Sequence, residues 1–152
     1  MNNPALNNAA LLIGRVLLSL IFITSGWSKI FGYAGTAAYM EKMGVPGALL
    51  PLVIFTELGV GLLILVGFQT KLAAVWLAGF CIASAYLFHW ATASALTAQM
   101  AGVTDAAQLA ALGQQKGGQM INFWKNISMA GGFLALFAAG AGAWSVDGRR
   151  SA

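Results

Sequence analysis

The chain alternates long apolar runs with short breaks rich in glycine or polar residues. Four runs stand out, over residues 11–31, 48–68, 72–92 and 123–143. A helix of about 21 residues rises roughly 31 Å, which matches the hydrocarbon thickness of a bilayer. The runs are continuous rather than alternating, so each predicts a membrane-spanning helix and not a barrel strand. Between the first two, Gly32, Gly35, Gly44, Pro46 and Gly47 punctuate a loop. Within that loop, residues 36–43 predict a short helix capped by Thr36 and lying at the interface with Tyr39, Met40 and Met43. Pro51 falls in the first turn of the second span, where a missing N–H does no harm. The break at Gly67 and residues 69–71 is so short that the second and third spans must be antiparallel neighbours. Residues 93–120 read as a long Ala- and Gln-rich loop, in which Asp105 starts and Gly113 stops a short helix. The tail from Trp144 onward is polar.

Composition supports this pattern. Apolar residues make up 59% of the 152 positions and charged residues 8%, against about 25% charged in ordinary soluble domains. That leaves too little polar surface to cover a soluble globule. The expectation is an all-α integral membrane protein, a four-transmembrane-helix bundle forming one domain over residues 1–152. Residues 1–8 carry no positive side chain, so the first apolar run is read as a retained span rather than a cleaved leader. Small residues recur every fourth position in the last span (Gly131, Ala135, Ala139, Ala143), and Gly59, Gly61, Ala74, Ala78, Gly79 and Ala83 sit in the middle two. Such residues let helices pack closely in lipid, and bundle packing accounts for all of them.

The net charge is +4, but the eight basic residues are scattered and most flank apolar runs. Interfacial anchoring explains them, with Arg15 and Lys29 able to snorkel, and nucleic acid is not an expected partner. An even number of spans puts both termini on one face. Arg15, Lys71, Arg149 and Arg150 lie on that side, and Lys29, Lys42, Lys116 and Lys125 on the other. The short turn at Lys71 and the Arg-Arg tail tip the termini towards the cytoplasm. A single cysteine, Cys81, excludes an intramolecular disulfide and reads as a small buried hydrophobe.

Candidate chemistry centres on Glu57, a carboxylate inside an apolar run. A charge there needs a partner, a proton or a hydrated cavity. Lys29, His89 and Lys125 fall in the same half of the bilayer, one on each remaining span. Helical side chains lean towards their own N-terminus, so Lys29 and His89 lean inwards and Glu57 leans up to meet them, while Lys125 leans outwards. Two readings stay open: a structural ion pair of Glu57 with Lys29, or a polar pocket for a ligand or a proton. Trp27, Tyr86, Trp90 and Trp124 are the candidate pocket walls, although an interfacial aromatic belt is the better reading for at least two of the three tryptophans. One His and one Glu are too few ligands for a buried metal, so no metal site is expected. No GxGxxG, P-loop, HExxH or GxSxG occurs, and no residue is assigned a catalytic role.

Several stretches carry a family resemblance. They include Gly14-Arg-Val-Leu-Leu18, Phe22-Ile-Thr-Ser-Gly-Trp-Ser-Lys-Ile30, Gly32-Tyr-Ala-Gly-Thr36, Tyr39-Met40, Gly44-Val-Pro46 and Glu57-Leu-Gly-Val-Gly-Leu62. Phe88-His89, Phe123-Trp-Lys-Asn126, Gly131-Gly132 and Gly140-Ala-Gly-Ala-Trp-Ser-Val-Asp147 extend them to the tail. Taken in order, they resemble the DoxX family of small bacterial inner-membrane proteins. The family's characteristic polar positions fall on Arg15, Lys29, Glu57, His89, Lys125 and Asp147. Residues 93–120 depart from the pattern by their length. The resemblance implies a four-helix protein of the bacterial inner membrane. It also implies a link to membrane redox and sulfur chemistry, since related members include a subunit of a thiosulfate:quinone oxidoreductase.

Three function classes follow. The first is a redox-associated subunit with quinone as candidate ligand and oxidoreductase subunits as candidate partners. The second is a non-catalytic assembly or anchoring protein. The third is a small proton-linked transporter, which a chain without internal repeats could serve only as a homo-oligomer. The bilayer is a partner in all three.

Overall fold

Asn3 opens the first helix by accepting hydrogen bonds from the amides of Ala5 and Leu6, and Pro4 takes the first helical position. In the computed structural model, which describes residues 3–150, this helix is α1 (Pro4–Phe31). The extreme ends of the N-terminal stretch and of the polar tail lie outside the described residues. There follow α2 (Tyr33–Lys42), α3 (Gly47–Val66), α4 (Thr70–Met100), α5 (Ala106–Ala139) and the short α6 (Val146–Arg150). Every element among the described residues is helical. Three helices, α1, α3 and α4, are long and apolar enough to cross a membrane. The apolar half of α5 is interrupted by Lys125, Asn126 and Ser128.

The four long helices pack around a core of Phe22, Ile64, Leu77, Cys81, Phe133 and Leu136. Phe22 and Phe133 meet edge to face, with centroids 5.4 Å apart. Cys81 is fully buried there, as a small hydrophobe would be. Two glycines set the approach of α1 to α3. A Cβ on Gly26 would lie 2.8 Å from the Leu58 amide nitrogen, and one on Gly61 would press on Phe22 and Ile23.

Several expectations need correction. Thr36 does not cap α2. It lies inside the helix and donates its hydroxyl to the carbonyl of Gly32, because α2 restarts directly after α1 at Gly32. Residues 93–120 are not a loop. α4 continues to Met100, and only residues 101–105 turn before α5 begins. Asp105 does cap α5, accepting from the Gln108 amide at 2.7 Å, but the helix runs straight through Gly113. Each helix has the other to pack against, which sustains helix where apolar periodicity has ended.

The row Gly131, Ala135 and Ala139 faces away from the bundle. All three are exposed, and α5 packs instead through Phe123, Ala130, Phe133 and Leu136. Arg15 does not snorkel. It is 1% exposed and turned into the protein.

Candidate functional site

Glu57 and His89 sit in two local departures from α-helical geometry. α3 widens to a π turn over Phe55–Val60, and α4 does the same over Ala85–Trp90. π turns are uncommon and gather at functional sites, because the extra residue re-aims side chains and loosens the backbone ladder. Each of these two carries one of the ionisable residues singled out from the sequence.

Lys29 comes from the last turn of α1, one helical turn beyond Gly26. With α1 and α3 brought close by Gly26, Lys29 Nζ reaches both carboxylate oxygens of Glu57, at 2.9 Å and 2.7 Å. The nearer oxygen is an ion-pair contact without good hydrogen-bond geometry, so it keeps acceptor capacity. Glu57 is 7% exposed and Lys29 half-buried.

The pair opens onto a cavity of about 190 Å³. α2 covers it with Thr36, Tyr39 and Met40, and α4 lines it with Phe80, Ser84, Phe88 and His89. Tyr39 stacks on Phe88, with centroids 5.8 Å apart and planes 22° from parallel, which ties α2 over the opening. His89 Nδ1 lies 2.8 Å from Gln119 Oε1 on α5. With that oxygen as acceptor, Nδ1 carries the hydrogen, and the lone pair of a neutral ring sits on Nε2. Within one small volume the protein thus offers an ammonium donor, a carboxylate, an imidazole and hydroxyls, against aromatic and thioether walls. Among the described residues no three His, Cys, Asp or Glu side chains converge as metal ligands would.

Lys29, Glu57 and His89 are therefore brought together, and Lys125 is not. Lys125 is exposed on α5, two residues (about 200° of helical rotation) from the inward-facing Phe123. The expected walls also differ. Trp27 is 59% exposed and packs on Phe31 along the outer face of α1. Tyr86, Trp90 and Trp124 gather around Phe123, outside the cavity. Trp90, one after His89, lies on a neighbouring face; Tyr86, three before it, would share its face in a regular α-helix, but the π turn over Ala85–Trp90 carries it round towards Phe123. The actual walls are Tyr39, Met40, Phe80 and Phe88.

Gln119 escaped the sequence reading, although it lies four residues before Phe123 and so extends the inward face of α5. Thr36, Tyr39 and Ser84 escaped it too. The first two belong to a connection whose position above the bundle no periodicity reveals.

A second polar cluster lies at the opposite end. Arg15 donates from Nη1 to the Leu65 carbonyl at 3.2 Å and from Nη2 to the Trp144 carbonyl at 2.5 Å. Asp147 accepts from the amides of Gln69 and Thr70, at 2.9 Å and 2.8 Å, and so caps α4 from a remote part of the chain. Burial opposes ionisation of Asp147. Hydrogen bonds from Thr70 and Gln69 and the charge of Arg150 outweigh it, and hold the carboxyl below the usual aspartate range. A Cβ on Gly67, whose φ is +70°, would collide with the Arg15 guanidinium and with Ser145. Only glycine serves that turn.

A family model described as DoxX matches residues 10–90, which hold Arg15, Lys29, Glu57 and His89. The Escherichia coli K12 inner membrane protein YqjF is 43% identical over 142 residues, covering 93% of this chain and 92% of its own. The inner membrane protein YphA of the same organism is 38% identical over 143 residues, covering 91% and 89%. No solved structure matches.

Proposed function

The chain belongs to the DoxX family, and on that premise we propose that its cavity holds the head of a quinone and exchanges protons with it. On this reading all four long helices cross the inner membrane, the termini are cytoplasmic, and a partner oxidoreductase subunit exchanges electrons with the ring. The observation that carries the reading is the shared cavity of Lys29, Glu57 and His89. Its volume suits one substituted ring, and aromatic walls with a few convergent polar groups are what small-molecule sites use.

The roles follow from the groups present. Lys29 donates to one ring oxygen and stabilises negative charge as it develops there. His89 faces the other oxygen through Nε2; with Gln119 holding the Nδ1 hydrogen, this nitrogen accepts from the hydroxyl of the quinol form and donates to the quinone oxygen when it carries the proton being delivered. Glu57 accepts a proton or returns one, with Lys29 beside it to stabilise its anion. Reduction of a quinone to a quinol takes up two electrons and two protons. The cavity handles the protons, and the electrons come from the partner's redox centre.

The test is a titration of the reconstituted protein with a quinone, followed by quenching of tryptophan fluorescence. Wild type should saturate, and Glu57→Gln should bind at least tenfold more weakly. Equal responses from the two proteins would remove the quinone from this site.

One observation favours a second reading, an assembly or anchoring role. α4 and α5 have 31 and 34 residues, so they run about 46 and 51 Å, well beyond a hydrocarbon core of roughly 30 Å. Their joined ends would form a helical arm outside the bilayer, on the side of the cavity. Shortening the arm within residues 94–118 should release co-purifying partners if this role holds, while an unchanged partner set speaks against it.

A further inference from the structure

The cavity does not end at its polar groups. Met40, Val53, Phe80, Ser84 and Phe88 line it and also line a second hollow of about 430 Å³ between α3 and α4. No charged residue lines this second hollow. Beyond the shared residues its walls are Leu49, Leu52, Val75, Ala83 and Leu87, with Gly79 between them. The Thr56 hydroxyl, the other polar group there, already accepts from the Trp76 indole N–H at 3.2 Å. Leu49, Leu52, Val75, Trp76 and Leu87 are exposed on the flank of the bundle, the side that faces lipid when α3 and α4 cross a bilayer. A Cβ on Gly79 would meet nothing within 4 Å, so the missing side chain leaves open space in the middle of the groove.

We infer that the site takes an amphiphile, with its polar ring in the Lys29–Glu57–His89 cavity and its single apolar tail in the α3–α4 groove, entering sideways from the bilayer. This rests on the reading of the cavity as a quinone-head site and adds where the tail lies and how the molecule arrives. Three observations select this occupant. The polar and apolar hollows adjoin, with five lining residues in common, as the two ends of one amphiphile require. The groove offers no charge to a second polar moiety, and its hydroxyls are few: Ser84, shared with the polar cavity, and Thr56, which accepts from the Trp76 indole. α2 lies over the polar cavity and Tyr39 is stacked on Phe88, whereas the groove lies along the exposed flank. In lipid a tail gains little from burial as such, so the head supplies the affinity and the groove selects the shape.

The experiment uses the full chain in lipid nanodiscs and two probes, a benzoquinone with a ten-carbon tail and the same ring without it. Gly79→Leu fills the groove where the space is empty and leaves the polar cavity untouched. The inference expects Gly79→Leu to weaken the tailed probe tenfold or more and to change the tailless one less than twofold. Retained binding of the tailless ring also shows that the variant is folded. Ala83→Phe, exposed on the same groove, should act in the same way. If the tailed probe binds wild type and both variants alike, the tail stays in the bilayer and the inference is overturned while the polar site stands. If wild type binds neither probe, the quinone-head reading falls and takes the inference with it.

Discussion

The two ends of the bundle answer the same physical problem differently. Each places a charged side chain in an apolar setting, and such charges need compensation. At the Arg15 end the compensation comes from backbone. Two carbonyls accept from the guanidinium, and two amides donate to Asp147. These partners belong to turns that must satisfy their own polar groups in any case, and Gly67 gives up a side chain so that they can close. The adjoining recess of about 500 Å³ is open, and the Asp147 carboxylate that lines it is already engaged by the amides of Gln69 and Thr70. At the Glu57 end the compensation is one side-chain ammonium, set beside a covered space with an imidazole in it. Backbone compensation builds a joint. Side-chain compensation beside a cavity leaves groups that can be re-bonded to something else.

The largest effect should come from breaking the joint. Arg15→Met keeps the bulk but leaves the carbonyls of Leu65 and Trp144 without their donor. Hydrogen bonds from a charged group are worth about 1.5–3 kcal/mol each, so a loss of roughly 3 kcal/mol is expected. Thermal unfolding in detergent measures it. At a temperature where the variant stays folded, its quinone titration should match wild type. A large drop in affinity with little loss of stability would reverse the roles assigned to the two ends.

The ion pair should behave otherwise. Lys29→Met strands Glu57 without its cation, and a loss of about 2 kcal/mol is expected, softened because Glu57 can take up a proton. Replacing both partners, as Lys29→Met with Glu57→Leu, should recover wild-type stability to within about 1 kcal/mol or exceed it, since buried pairs often do no better than apolar residues of similar size. Ligand binding should be absent from both variants. A double variant far less stable than either single one would mean that the pair is a strut, and the contrast between the ends would collapse.

How much of this was legible beforehand follows the same division. The apolar runs marked α1, α3 and α4, and the short break at Gly67 required α3 and α4 to be antiparallel. Helix direction alone brought Lys29 and Glu57 together, because each element is regular and the lean of a side chain is a property of the helix. The rest depends on rotation and on distant partners. Lys125 shares the depth of the cluster but lies about 200° round α5 from Phe123, and depth is easier to read than angle when the apolar pattern is diluted by Gly and Ala. Arg15 was expected to snorkel because its acceptors, Leu65 and Trp144, lie 50 and 129 positions away. The π turns leave no periodic trace, since one extra residue shifts a pattern without announcing itself. Residues 93–120 lack an apolar stripe because they pack on one another rather than on the core. Their Ala and Gln content was the available sign of helix.

The smallest expected effect lies at Asp147, and it tests whether that end is held by charge or by hydrogen bonds alone. Asp147→Asn keeps an acceptor for one amide but puts an NH2 group where the other acceptor was, and it removes the negative charge from the N-terminus of α4. A loss of about 0.5–1 kcal/mol is expected at neutral pH, at the modest end for a helix cap because the group is only partly buried. The pH dependence gives the sign. Burial works against the ionised form, and the donors from Thr70 and Gln69 with the Arg150 charge overcome it, so the carboxyl is depressed in the folded protein. Its contribution is then fully present above the unfolded value, about 3.9, and disappears as the pH falls through the lower folded value. The stability difference between wild type and Asp147→Asn should therefore be flat from neutral pH down to about pH 4 and shrink below it. Raised salt should reduce it at neutral pH if charge carries the cap. A difference that ignores both salt and acid would assign the cap to neutral hydrogen bonding, and would make the Arg15 end a joint of backbone geometry alone.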